Sequence, residues 1–181
     1  IFAPQHVRIL GLSATIGNLE QLSGWLSEVR NEEFAVVVEN TRVVPLEHYF
    51  FYEDAEGKKV VEPFHADGEF YLPEHSKADH LDLLEQVRGE YLPALFFVFS
   101  RRQCAEKARE ASQSFQLLSR EELARVEEVV ARYGSVPGIQ SSGDYRLLRS
   151  ILRKGFAYHH AGLLPVLKDM VEELFGDRLI K

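Results

Sequence analysis

Cysteine, methionine and tryptophan occur once each in this sequence of 181 residues. A lone thiol, Cys104, cannot close an internal disulfide, and that usage suits a reducing compartment. No apolar run approaches the roughly 20 residues needed to span a bilayer. Residues 1–8, IFAPQHVR, carry neither a signal-peptide pattern nor an initiating methionine. A cytoplasmic location and no membrane partner are the expectation. A positive excess is missing too. The formal charge of −7 argues against broad electrostatic adhesion to nucleic acid or an anionic membrane, while leaving room for a local basic cleft. Also absent are a Gly-x-x-x-x-Gly-Lys-Ser/Thr loop and an Asp-Glu pair after a strand, so the usual phosphate cradle and magnesium ligand are not here.

What is present is ordinary globular material, 45% hydrophobic and 27% charged, enough for a core in one domain or two small ones. One piece of syntax occurs three times: a short apolar run, a turn, then an amphipathic helix. It is seen in RILGLSATIGN before a helix at 19–30, in ALFFVFSRR before a helix at 101–112, and in GFAYHHAGLL before the helix that Pro165 opens. Val7–Leu12, Phe34–Val38, Ala94–Phe99 and the run from Gly155 read as strands of a parallel sheet buried on both faces. In the first helix Asn18 and Gln21 suggest a capping box, and Trp25 reads as a core anchor. Residues 39–45 read as a connector, 46–52 as a strand, and 60–75 as a loop or hairpin after a Gly-marked turn. Leu81, Leu84, Val87, Arg88 and Tyr91 form a helical stripe. Ser119-Arg120-Glu121-Glu122 predicts a capped helix, Gly134–Gly143 a breaker-rich link, and Tyr145–Leu152 a short helix ending at Gly155. Gly176 is expected as the residue just past the last helix. The terminal runs look like interrupted α/β units, so a segment of a longer protein is expected.

In open α/β sheets ligands gather at the carboxyl ends of strands, beside helix N-termini. Ser100-Arg101-Arg102 lies at such a junction, where free amide groups and the helix dipole favour an anion. Gly162 and Leu163 before Pro165 offer the same geometry, with an imidazole nearby. The plainer alternative is that one histidine is a satisfied core residue and Ser100 only a helix cap. Basic residues cluster near the expected strand ends, Arg101 and Arg102 and then Arg149, Arg153 and Lys154, and without the repeated strand–turn–helix syntax solvated helix faces would be the preferred reading of them. Cys104 falls where a helix should pack, which favours a structural thiol over a nucleophile. His159 and His160 are neighbours on an expected strand and point to opposite faces, a poor joint metal site, and no metal is expected.

These motifs together resemble a family. LGLSATIGN is similar to the Ser-Ala-Thr motif of superfamily 2 helicases. ALFFVFSRRQCAEKA and GFAYHHAGLLPVLKDMVEELF resemble the opening motifs of their second RecA-like domain, and the last is similar to the superkiller-like DExH-box RNA helicases that work with the exosome. The resemblance covers nearly the whole chain, and the stretch of about 113–154 resembles an insertion that these proteins carry. It implies α/β architecture with RecA-like parallel sheets: residues 1–41 would end a first RecA-like domain and 42–181 begin a second, hinged at 39–45 over an ATP cleft. Ser13, Ala14 and Thr15 would couple ATP hydrolysis to strand separation. Ser100, Arg101 and Arg102, with His159, His160, Gly162 and Leu163, would contact the nucleic-acid backbone. The implied partners are RNA, single-stranded or partly duplex, and RNA-decay nucleases. ATP and Mg2+ would serve the parent protein, which would move 3′ to 5′. The phosphate loop, the DExH motif and the later motifs are not in this sequence, so the segment alone is not expected to be catalytic. A related superfamily 2 DNA repair helicase shares LSATIGN and His-His-Ala-Gly, and a stand-alone helicase-derived binding module is a further alternative. A metabolic α/β enzyme lacks any catalytic constellation and ranks last.

Overall fold

A computed structural model describes residues 4, 6–13, 15–64 and 77–181. The chain divides into two compact units, Ile1–Leu46 and Glu47–Lys181.

In the first unit the apolar spacing produces helix α1, Leu19–Arg30. The expected capping box does not form. Asn18 makes no side-chain bond to the helix backbone and instead donates its amide to the Gln21 side-chain oxygen at 3.2 Å. The helix stops at Asn31 in the left-handed region (φ 51°), which a short polar side chain tolerates. Arg30 is the buried residue of this helix, and its guanidinium donates to the carbonyl of Val7 at 2.9 Å. A cation is well placed beside the helix C-terminus. The strands expected at 7–12 and 34–38 carry no ladder, and Leu10, Leu12 and Val37 are exposed. Trp25, expected as a core anchor, is 52% exposed. Apolar runs of the parallel type become strands only when neighbours supply hydrogen bonds and cover both faces. The described residues of this unit supply neither.

The second unit opens with an antiparallel hairpin, β1 (Tyr49–Glu53) and β2 (Lys59–Pro63), in which Phe51 faces Val61. Gly57 turns it at φ 82°. The hairpin expected at 60–75 is thus met by β2 over its first residues, whereas residues 65–76 lie outside the described ones. Lys59 pairs with Glu53 and, at 2.9 Å, with Asp82 of α2 (His80–Val87), a helix closed by its own Asp79–Asp82 capping box.

Four more α-helices follow: α3 (Arg101–Ser114), α4 (Arg120–Gly134), α5 (Gly143–Leu152) and α6 (Pro165–Gly176), with a 3-10 turn at Ile139–Ser141. The Ser119 box forms as its spacing requires: Ser119 Oγ accepts from the Glu122 N–H, and Glu122 accepts from the Ser119 N–H at 2.8 Å. Pro165 takes the first position of α6. The expected left-handed stop at Gly176 is displaced. Gly176 is still helical, and Arg178 takes φ 58°. The Leu179 N–H then reaches back to Leu174 O at 2.9 Å and the Arg178 N–H to Phe175 O at 3.0 Å, a Schellman closure. The two-residue shift buries Leu179 against the core that holds Leu174.

That core is helical. Val126 and Val130 of α4, Leu148, Ile151 and Leu152 of α5, and Leu167, Met170 and Leu174 of α6 are buried in one cluster. Each such side chain contributes about 1.5–3 kcal/mol when fully buried. The stretch read as an insertion therefore supplies much of the core rather than decorating it. Gly134 is required by close approach, since a Cβ there would lie 2.1 Å from the Tyr145 hydroxyl, which donates to Val130 O at 3.2 Å. The parallel sheet expected from Ala94–Phe99 and residues 155–160 is not formed. Among the described residues the sheet is the antiparallel β1–β2 pair, and Phe97 is 93% exposed. The architecture is mixed α and β, dominated by helices.

Candidate nucleic-acid interface

Two chain-to-helix junctions of the second unit come together. At the first, Ser100 caps α3 by accepting from the Gln103 N–H at 3.4 Å, and Ser100 O accepts from the Cys104 N–H at 2.8 Å. Ser100 is thus a cap, as the plainer alternative had it. The amides of Arg101 and Arg102 precede the first helical bonds, and among the described residues they have no hydrogen-bond acceptor. At the second junction the Gly162 N–H donates to His160 Nδ1 at 3.1 Å. A Cβ on Gly162 would lie 3.3 Å from that nitrogen and 3.4 Å from a terminal nitrogen of the Arg101 guanidinium. Arg101 and His160, far apart in sequence, therefore converge on one glycine, and the absence of a side chain there permits it. Leu163 is buried and pins the loop to the core. Leu164 precedes α6 without a side-chain cap, leaving the start of that helix open.

The remaining expected residues divide. Arg102 is engaged by Glu106 at 2.9 Å, and that bond raises its pKa while spending its charge within the helix. His159 turns to Glu172 of α6 at 3.0 Å, whereas His160 faces the Gly162 amide, so the two imidazoles serve different partners. Cys104 is half-buried, with its Sγ 3.9 Å from His159 O. Ser13 and Thr15 lie in the first unit, exposed, with Ser13 Oγ donating to Thr15 O at 3.2 Å. Ala14 is outside the described residues.

Two supporting residues escaped the sequence reading. The Tyr158 ring packs 5.6 Å from that of His160, and its hydroxyl donates to Asp144 Oδ1 in the first turn of α5 at 2.9 Å. Burial, then that bond to a carboxylate, pushes the phenol well above its ordinary value and keeps it a donor. The signal was available in the two-residue spacing, which puts Tyr158 and His160 on the same side of an extended segment. The arrangement can hold an anion with a guanidinium, an imidazole and free amides, and it contains no nucleophile set up by a base.

No protein-family model matches the chain. Over its whole length it is 30% identical to an uncharacterized helicase of Schizosaccharomyces pombe, of which it covers 20%. It is 29% identical to superkiller complex protein 2 of Mus musculus, covering 17% of that protein. To a DExH-box ATP-dependent RNA helicase of Arabidopsis thaliana it is also 29% identical, covering 22%. In sequence, the chain is similar to these helicases. It spans about a fifth of the length of the curated relatives it matches, and the paired junctions lie within the matched stretch. No helix among its described residues is long and apolar enough to cross a membrane.

Proposed function

We propose that the chain is the middle of an ATP-dependent helicase that moves 3′ to 5′ on RNA during processing or decay in the cytoplasm, alongside RNA-decay nucleases. In this reading residues 1–41 close one RecA-like domain and 42–181 open the next, with Ser13, Ala14 and Thr15 coupling ATP hydrolysis to movement. Arg101, with the free amides at the start of α3 and the His160–Gly162 loop, holds successive backbone phosphates. The observation that carries the reading is the convergence of Arg101 and His160 on Gly162, because phosphate contacts of this kind position a strand without reading its sequence. Tyr158 is a positioning residue for His160. ATP and Mg2+ belong to the longer protein. This chain carries no phosphate-loop sequence, and its described residues include no cluster suited to a metal ion, so they do not fit either group by themselves.

The test is salt-dependent binding of single-stranded RNA by the full-length protein. Arg101→Ala is expected to weaken binding for every sequence and to make the log–log salt slope shallower by about 1. An unchanged affinity and slope would remove Arg101 from the interface. RNA-stimulated ATPase, assayed beside a DNA strand of the same sequence, distinguishes the RNA helicase from a DNA repair relative, since the 2′-OH marks RNA.

A further inference from the structure

His160 is tied down at its main chain and at its ring. Its carbonyl oxygen accepts from the N–H of buried Leu163 at 3.1 Å, and its Nδ1 accepts from the Gly162 N–H at 3.1 Å. A ring nitrogen that accepts a hydrogen bond carries no proton, so the proton of the neutral imidazole is on Nε2. Among the described residues Nε2 has no hydrogen-bond partner, and the residue is half-buried. A second proton, on Nδ1, would point straight at the Gly162 N–H, with the Arg101 guanidinium close to the same glycine.

The ring is kept in that pose from a third element. Buried Tyr158 packs its ring 5.6 Å from the imidazole, and its hydroxyl donates to Asp144 Oδ1 at 2.9 Å. Asp144 lies in the first turn of α5. Its neighbour Tyr145 is buried and donates to Val130 O of α4 at 3.2 Å, while Ser142 caps α5 by accepting from the Tyr145 N–H at 3.5 Å. The carboxylate is therefore fixed to the α4–α5 pair. The phenol cannot swing away from His160 without giving up a charge-assisted bond, which leaves a buried hydroxyl unpaired. A helix pair outside both junctions thus sets the pose of a side chain within one.

We propose that Asp144 is a positioning residue for the anion site: acting through Tyr158, it holds His160 as the neutral Nε2–H tautomer, an uncharged donor to a phosphate oxygen. The inference rests on the reading of this junction as a contact to the nucleic-acid backbone. It separates two roles there. Arg101 supplies charge, and with it salt dependence. His160 supplies direction and releases no counterion. Asp144 acts at one remove, through the phenol.

Binding of single-stranded RNA to the full-length protein, measured across a range of salt concentrations, tests it, with Arg101→Ala as the reference. His160→Ala is expected to weaken binding about tenfold or more while leaving the log–log salt slope unchanged. His160→Gln, whose amide donates without charge, should recover most of that loss. Asp144→Ala and Tyr158→Phe should each weaken binding about threefold or more at unchanged slope. Asp144→Asn, which keeps an oxygen for the phenol, should recover most of the loss seen in Asp144→Ala. Added to His160→Ala, Asp144→Ala should cost nothing further, because it acts through that ring. Additive losses would overturn the role of Asp144. A slope made shallower by about 1 in His160→Ala would make the ring an imidazolium and overturn the tautomer. Unchanged binding in Asp144→Ala beside weakened binding in Arg101→Ala overturns this inference and leaves the interface standing. Unchanged binding in both overturns the interface and this inference with it.

Discussion

Helices α1 and α6 are alike in sequence terms and opposite in fate. Each is 12 residues long with an apolar stripe at helical spacing. Yet α6 buries Leu167, Met170, Val171 and Leu174, whereas the buried residue of α1 is Arg30 and its Trp25 stands half in solvent. Spacing decides that a helix forms and which face is apolar. Whether that face stabilises anything depends on what the rest of the unit brings to it. Here α4 and α5 bring valines, leucines and an isoleucine to α6, and the described residues of the first unit bring nothing comparable to α1.

The sharpest way to break this contrast is truncation of one large residue in each unit. Leu148→Ala should cost about 2–5 kcal/mol in urea unfolding of the second unit, because Leu148 is fully buried. Trp25→Ala should cost less than about 1 kcal/mol, as exposed positions generally do. A large loss at Trp25 would show that its face is covered in solution.

Next in size is the glycine that allows α4 and α5 to touch. Gly134→Ala pushes a methyl group into the Tyr145 hydroxyl and should destabilise by about 1–3 kcal/mol. In the double variant with Tyr145→Phe the losses should be less than additive, because the clashing oxygen is gone. Full additivity, measured by the same unfolding experiment, would place the strain elsewhere.

Smaller again is the difference between helix stops. Asn31 and Arg178 both have positive φ, but only the asparagine suits that region. Arg178→Gly should raise the melting stability by about 0.5–1 kcal/mol, and Asn31→Gly by less. No gain at Arg178 would mean that its side chain compensates for the backbone cost.

The smallest expected effect is acid sensitivity. Bonds from Arg132 and then Tyr133 hold the Glu173 carboxyl below its ordinary 4.5, and Lys181, then the Ser119 backbone, do the same for Glu122. A carboxyl whose folded pKa is depressed adds stability above its unfolded value and loses it as pH falls through the folded one. Unfolding midpoints of the second unit should therefore drop modestly between about pH 5 and pH 3, and Glu173→Gln should flatten part of that slope. Both groups are still partly exposed, and solvent screening keeps the effect small. An equal slope in the variant would assign the acid loss to other carboxyls.

The helices, the Ser119 capping box, Pro165 at a helix start and the junction residues Ser100, Arg101 and Gly162 were legible in the sequence, because each depends on residues within a turn or two of itself. The resemblance to helicases rested on equally local segments, and over its whole length the chain is about 30% identical to helicases. What only the tertiary structure decided depends on distant partners. Phe97 and Leu95 carry a strand pattern without a ladder because a strand is a relation between chains of backbone, and the described residues leave that relation open. The left-handed turn moved from Gly176 to Arg178 because burying Leu179 outweighed the local preference of glycine. Arg101 met His160 at Gly162 because a core built from residues 118–180 drew two junctions together. Local chemistry was written along the chain, and long-range packing determined which of it would meet.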